Sequence, residues 1–162
     1  MVFASKAHSL VRILLPCRPH PTRLEKLWIM PGSLKIIVAD DNDDAASTLS
    51  IILKYNGYDA HAVAEPHSAL ALAKELVPQV MLIDIEMPGM NGYQLAQAVR
   101  EDPRMERSKL VAITGYGGDH HRSKPMEAGF DHHLLKPVDT EEIVSLIEKF
   151  KTNGPGFGRR AM

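Results

Sequence analysis

Cysteine is nearly absent from this chain. Cys17 is the only one, so no disulfide can close within it and nothing in the thiol content calls for an oxidising compartment. Long apolar runs are missing as well. The longest stretches, Val80 to Ile85 and the neighbourhood of Lys35 to Ala39, fall far short of the ~20 residues needed to cross a bilayer. Leu10 to Leu15 imitates a signal-peptide core, but Arg12 interrupts it and no small-residue cleavage site follows. The cytoplasm is therefore the expected address, and no membrane partner is expected. An excess of either charge is also lacking overall, with a formal net charge of -1. The balance is uneven along the chain, however. Residues 34–151 carry 12 basic and 19 acidic side chains, while the two ends carry 7 basic and 1 acidic. An acidic middle argues against a nucleic-acid-binding core and suits a site that collects a divalent cation.

What is present fits one domain with tails. A length of 162 residues matches a single core plus extensions, since domains usually span roughly 100 to 200 residues. The 44% hydrophobic and 24% charged content is close to that of soluble globular chains, so a packed core can form. Residues 1–32 hold Pro16, Pro19, Pro21 and Pro31 among scattered Arg and His, without a period of 2 or 3.6, and read as a disordered basic tail. The composition break also makes Met30 a candidate translation start, which a native peptide from upstream of it would reject. Residues 152–162, rich in Gly with Arg159 and Arg160, read as a second tail, too short for an output domain. The domain is expected over 33–151.

Within it, apolar β-type runs alternate with amphipathic stretches. The runs are Lys35 to Ala39, Tyr58 to Val63, Gln79 to Asp84, Leu110 to Thr114 and Asp131 to Leu135. In the first helical stretch Ala45, Leu49, Ile52 and Leu53 share one face, and Gly57 can end it. In the last, Ile143, Leu146, Ile147 and Phe150 do the same. Pro66 suits the first turn of a second helix, Asn91 the cap of a third and Asp119 the start of a fourth. Five such units give an α/β, doubly wound (βα)₅ three-layer sandwich, flavodoxin-like, with a parallel sheet in the order 2-1-3-4-5.

In such sheets ligands bind beyond the carboxyl ends of the strands, where strand order reverses. The first run ends in Asp40-Asp41, the third in Asp84, the fourth in Thr114 and the fifth in Lys136-Pro137. Only the second, at the sheet edge, ends without such a group. Crowded carboxylates repel one another and need a cation, and Mg²⁺, which takes oxygen ligands, suits Asp41 and Asp84 with Asp40 behind them. Lys136 supplies a compact positive charge and Thr114 a hydroxyl, both able to meet phosphoryl oxygens. These are the parts of a phosphoryl-transfer site.

Four segments carry a resemblance: Leu-Lys-Ile-Ile-Val-Ala-Asp40-Asp41-Asn, Asp84-Ile-Glu-Met-Pro-Gly-Met-Asn-Gly, Ala-Ile-Thr114-Gly and Gly-Phe-Asp-His-His-Leu-Leu-Lys136-Pro137. In this order the chain resembles the receiver domains of response regulators over about residues 33–151. The resemblance implies that Asp84 is the phosphoacceptor and that Asp41 and Asp84 bind Mg²⁺ directly, with Asp40 acting mainly through water. It adds the backbone carbonyl of Glu86 as a further ligand. Lys136 and Thr114 would contact the phosphoryl group, and Lys136-Pro137 would be a cis peptide. His133 occupies a switch position usually held by Tyr or Phe, and with Thr114 would rearrange on phosphorylation. Tyr116 and Glu86 would tune the lifetime of the phosphorylated form. The implied partners are a histidine kinase or phosphotransfer protein and a downstream protein, with homodimerisation on phosphorylation also possible. Nucleic acid would not be bound directly.

Other readings compete with this one. Asp40 and Asp41 alone would serve as helix caps. An aspartate-nucleophile phosphatase is suggested by Asp84-x-Glu86, although a cap-sized insertion is missing. A phosphorylation-independent interaction module would keep the fold and lose the metal affinity. His120-His121 and His132-His133 invite a transition-metal site, but adjacent residues on a strand point to opposite faces.

Overall fold

The computed structural model describes residues 33–115 and 128–153. The expected tail over 1–32, the helix from Asp119, Tyr116 and His120-His121 lie outside the described residues, as does all but the start of the expected C-terminal tail.

Each apolar run is a strand and each is followed by a turn into a helix, except where the description is interrupted after β4. The elements are β1 (Lys35–Ala39), α1 (Asp43–Tyr55), β2 (Asp59–Val63), α2 (Pro66–Leu76), β3 (Val80–Asp84) and α3 (Gly92–Arg100). After a 3₁₀ turn at Pro103–Met105 come β4 (Lys109–Thr114), β5 (His132–Leu135) and α4 (Thr140–Asn153). The last helix thus runs two residues past the boundary expected at 151. All pairings are parallel, in the order β2-β1-β3-β4-β5. This is the expected flavodoxin-like arrangement.

Because strand side chains alternate, the sheet has two apolar faces, each closed by a helical layer. Ile37, Met81, Ile83 and Leu110 pack with Ala69 and Ala73 of α2 and with Leu95 and Val99 of α3. On the other face Ile36, Val38, Leu82 and Val111 pack with Leu53 of α1 and with Ile143 and Ile147 of α4. All five residues of β3 are buried, as the central strand of a covered sheet requires.

Local sequence explains most boundaries. Pro66 occupies the first turn of α2, where its missing N–H costs nothing. Asn91 caps α3 in a reciprocal box with Gln94, both bonds being 3.0 Å. Gly57, at φ +87°, sits just past the end of α1, a conformation that favours glycine. One expectation needs correcting. The buried face of α1 is Ala46, Ser50 and Leu53, and Ala45 is exposed. Ser50 can lie on that face because its hydroxyl donates to the Ser47 carbonyl at 2.9 Å, so a polar residue holds a position that an apolar template passes over.

Candidate functional site

The sheet order reverses between β1 and β3, and the polar residues at the strand ends meet there. Asp40 follows β1 directly and Asp84 ends β3, so register places them on neighbouring strands. Oxygens of Asp40, Asp41 and Asp84 lie within 4.8 Å of one another. Asp40 and Asp84 are nearly buried, at 5% and 3% exposure, while Asp41 is exposed. Lys136 reaches across from the end of β5. Its Nζ donates to Asp84 Oδ2 at 2.9 Å and to Asp40 Oδ2 at 3.0 Å.

Among the described residues, this arrangement leaves one ammonium facing three carboxylates. Burial pulls the Lys136 ammonium towards neutrality, but hydrogen bonds to Asp84 and Asp40 and their charges outweigh that, and its pKa is raised. The lysine is therefore firmly charged, and the cluster still carries a negative surplus. The donors are all carboxylate oxygens, partly buried on one side and open at Asp41. Such a set fits a hard divalent cation like Mg²⁺ and not a soft one. Neither His132 nor His133 belongs to a metal-competent group among the described residues. His132 is exposed and His133 half-buried, consistent with opposite faces of one strand.

The fold adds to the negative surplus. Helices return antiparallel to the strands, so their N-termini surround the site and carry Asp43 and Asp44 in α1 and Glu141 and Glu142 in α4. Acidic residues in a first turn are favoured by the helix dipole. The basic last-turn residues Lys54, Lys74, Arg100 and Lys151 sit at the far end of the sheet.

Thr114 ends β4, and its carbonyl accepts the Lys136 N–H at 2.8 Å, which ties the threonine and lysine strands together at the site. The Lys136-Pro137 peptide is cis, as the resemblance implied. Glu86 is exposed two residues beyond Asp84, and its N–H donates to Asp84 Oδ1 at 3.3 Å. His133 pairs with Ala112, two positions further from the strand ends than Thr114.

Two residues of the quoted segments were given no role by the sequence reading. Asn42, not Asp40 or Asp41, caps α1: its side chain accepts the Ala45 N–H at 3.2 Å. Its own N–H donates to Asp40 Oδ1 at 2.9 Å, so the cap frees the aspartates and orients one of them. Asn four residues before the first buried position of the helix was the available signal. The other is Gly92, buried at the start of α3 against the Asp84 backbone.

Comparison with known proteins agrees with this geometry. Residues 36–148 match the model of the response regulator receiver domain. A 14.6 kDa protein of Leptolyngbya boryana is 31% identical over 119 residues, covering 74% of this chain and 91% of that one. The DNA-binding dual master transcriptional regulator RpaA of Synechocystis is 27% identical over 70% of this chain, which spans only 47% of that relative. Among solved structures, the chemotaxis protein CheY4 of Vibrio cholerae superposes with a TM-score of 0.69 over 73% of this chain and 98% of its own. At 23% identity that likeness speaks for the fold alone.

Proposed function

The chain belongs to the response regulator receiver domain family, and from that premise we propose that it is a phosphorylation switch in which Asp84 accepts a phosphoryl group. The donor is a histidine kinase or phosphotransfer protein of a two-component system. An Asp84 carboxylate oxygen attacks the phosphorus, the bond from phosphorus to the donor nitrogen breaks, and the imidazole keeps the electron pair. Asp41 and Asp84, together with Asp40 and the Glu86 carbonyl, would hold Mg²⁺, which would supply neutralisation of the charge on the transferring oxygens. Lys136 holds a fixed positive charge beside the acceptor oxygen, and the Thr114 hydroxyl provides a donor for another phosphoryl oxygen. The domain assists its own phosphorylation and dephosphorylation and does not turn over exogenous esters. The output passes to a protein partner through rearrangement around Thr114 and His133.

The observation that carries this reading is the single ammonium of Lys136 shared between two nearly buried aspartates, Asp84 and Asp40, with Asp41 beside them. A purely structural ion pair would need one carboxylate, not three. Intact-mass measurement after incubation with acetyl phosphate and Mg²⁺ should show one added phosphoryl group, lost in Asp84→Asn. Equal labelling of the variant would remove Asp84 from the role, and turnover of small phosphate esters far beyond one equivalent would replace the switch with a phosphatase.

A further inference from the structure

We infer that Gly92 is a positioning residue for Asp84, required at its place by space and not by backbone conformation; this rests on the switch reading above. Gly92 is the first residue of α3 and is buried. It does not lie in the left-handed region that makes glycine necessary at Gly57, Gly89 and Gly129. A helix start would accept many residues on conformational grounds. Contact excludes them here: a Cβ at position 92 would lie 2.3 Å from the Asp84 carbonyl oxygen and 2.8 Å from the Ile85 Cα. Both are backbone atoms, so no side chain can swing aside to make room.

The close approach also carries a bond, because the Gly92 N–H donates to the Ile85 carbonyl at 3.1 Å. The start of α3 is thereby pressed onto the peptide that presents the phosphoacceptor. Neither side retreats freely. Leu95, Ala96 and Val99 anchor α3 in the core with no exposure, and the Asn91–Gln94 box fixes its first turn. On the strand side, Asp84 is paired with Ile113, and the Ile85 N–H bonds to the Ile113 carbonyl at 2.9 Å. Between these anchors lies the turn from Glu86 to Met90, which holds the expected carbonyl ligand. A methyl at position 92 therefore displaces Asp84 and Glu86 relative to Asp40, Asp41 and Lys136.

The test compares Gly92→Ala with Ala96→Gly, a change in the same helix that lowers stability without pushing on Asp84. In the full-length chain, thermal unfolding, Mg²⁺ binding by titration calorimetry and the phosphorylation rate with acetyl phosphate are measured together. Misplacing a reacting group by about an ångström costs up to about 10²-fold, so Gly92→Ala should lose at least about tenfold in rate and bind Mg²⁺ more weakly. Ala96→Gly should keep both. If Gly92→Ala binds Mg²⁺ and is phosphorylated as the wild type is, the inference is overturned while the switch reading stands. A wild-type chain that binds no Mg²⁺ removes both. Should the alanine variant not fold, amide resonances of the wild type decide: Gly92 should shift together with Asp84 and Glu86 during a Mg²⁺ titration. A Gly92 signal that stays still while Asp84 moves overturns the proposal.

Discussion

Replacing Lys136 by methionine, which keeps the stem and deletes the charge, probes the electrostatics on which the site depends. The ammonium lies 2.9 Å from Asp84 Oδ2 and 3.0 Å from Asp40 Oδ2, and both carboxylates are nearly buried. Removing one partner of a buried ion pair costs about 3–5 kcal/mol, because the remaining charge is left uncompensated. The lysine side chain is 36% exposed, so solvent already screens part of the attraction; about 2 kcal/mol is the expected loss in EDTA. For a domain of this size that lowers Tm by about 8 °C. Saturating Mg²⁺ should then stabilise the variant more than the wild type, since the three carboxylates present their full charge to the ion. Thermal unfolding of both proteins, with EDTA and with Mg²⁺, checks this. A variant as stable as wild type in EDTA, or one that gains no more from Mg²⁺ than wild type does, would refute the reasoning.

Two further outcomes follow from packing away from the site. Burial first, then the hydrogen bond to Glu148 and its charge, push the Tyr58 phenol above its ordinary value of 10.0. The folded state thus binds this proton more tightly than the unfolded one, so the contribution is complete below pH 10 and is lost as pH rises further. Tyr58→Phe should cost about 1 kcal/mol at neutral pH, and urea titrations should show the gap narrowing above pH 10; a gap constant to pH 11.5 contradicts it. Leu82, fully buried in the central strand, should cost about 3 kcal/mol when cut to alanine. A urea midpoint close to wild type would show that the core on that face collapses around the missing atoms.

The strands were legible in the sequence to within one residue because a sheet covered on both faces demands continuous apolar runs, and those of Lys35 to Ala39 and Gln79 to Asp84 are bounded sharply by polar residues. The aspartates and Lys136 were legible for a related reason: parallel topology sends every strand end to the same side, so polar residues at those ends must converge. Helix phase was less legible. Ser50 hides its hydroxyl against its own helix, and a reading based on apolar residues turned α1 by one position. Gly92 was opaque because its role is a missing atom opposite a backbone that only the tertiary structure brings near. Asn42 was obscured by its neighbours, since Asp40, Asp41 and Asn42 are all competent caps and composition does not choose among them.

Placing three carboxylates at one point opposes folding, so the surrounding structure has to offset their repulsion. Part of the compensation is local. Asp40 accepts the Asn42 N–H and Asp84 accepts the Glu86 N–H, each from the turn that follows its strand, and Lys136 spans both. The rest is remote: Ile36, Ile37, Met81, Leu82 and Ile83 in the two strands that end at the site are fully buried, and burying one such side chain contributes about 1.5–3 kcal/mol. The strands are held by their cores, not by the residues at their ends. The ends are consequently free to carry mutually repelling groups, with Asp41 left exposed where a cation can approach. A site assembled in this way is negative enough to attract a divalent cation, which is the electrostatic condition a reversible phosphoryl acceptor requires.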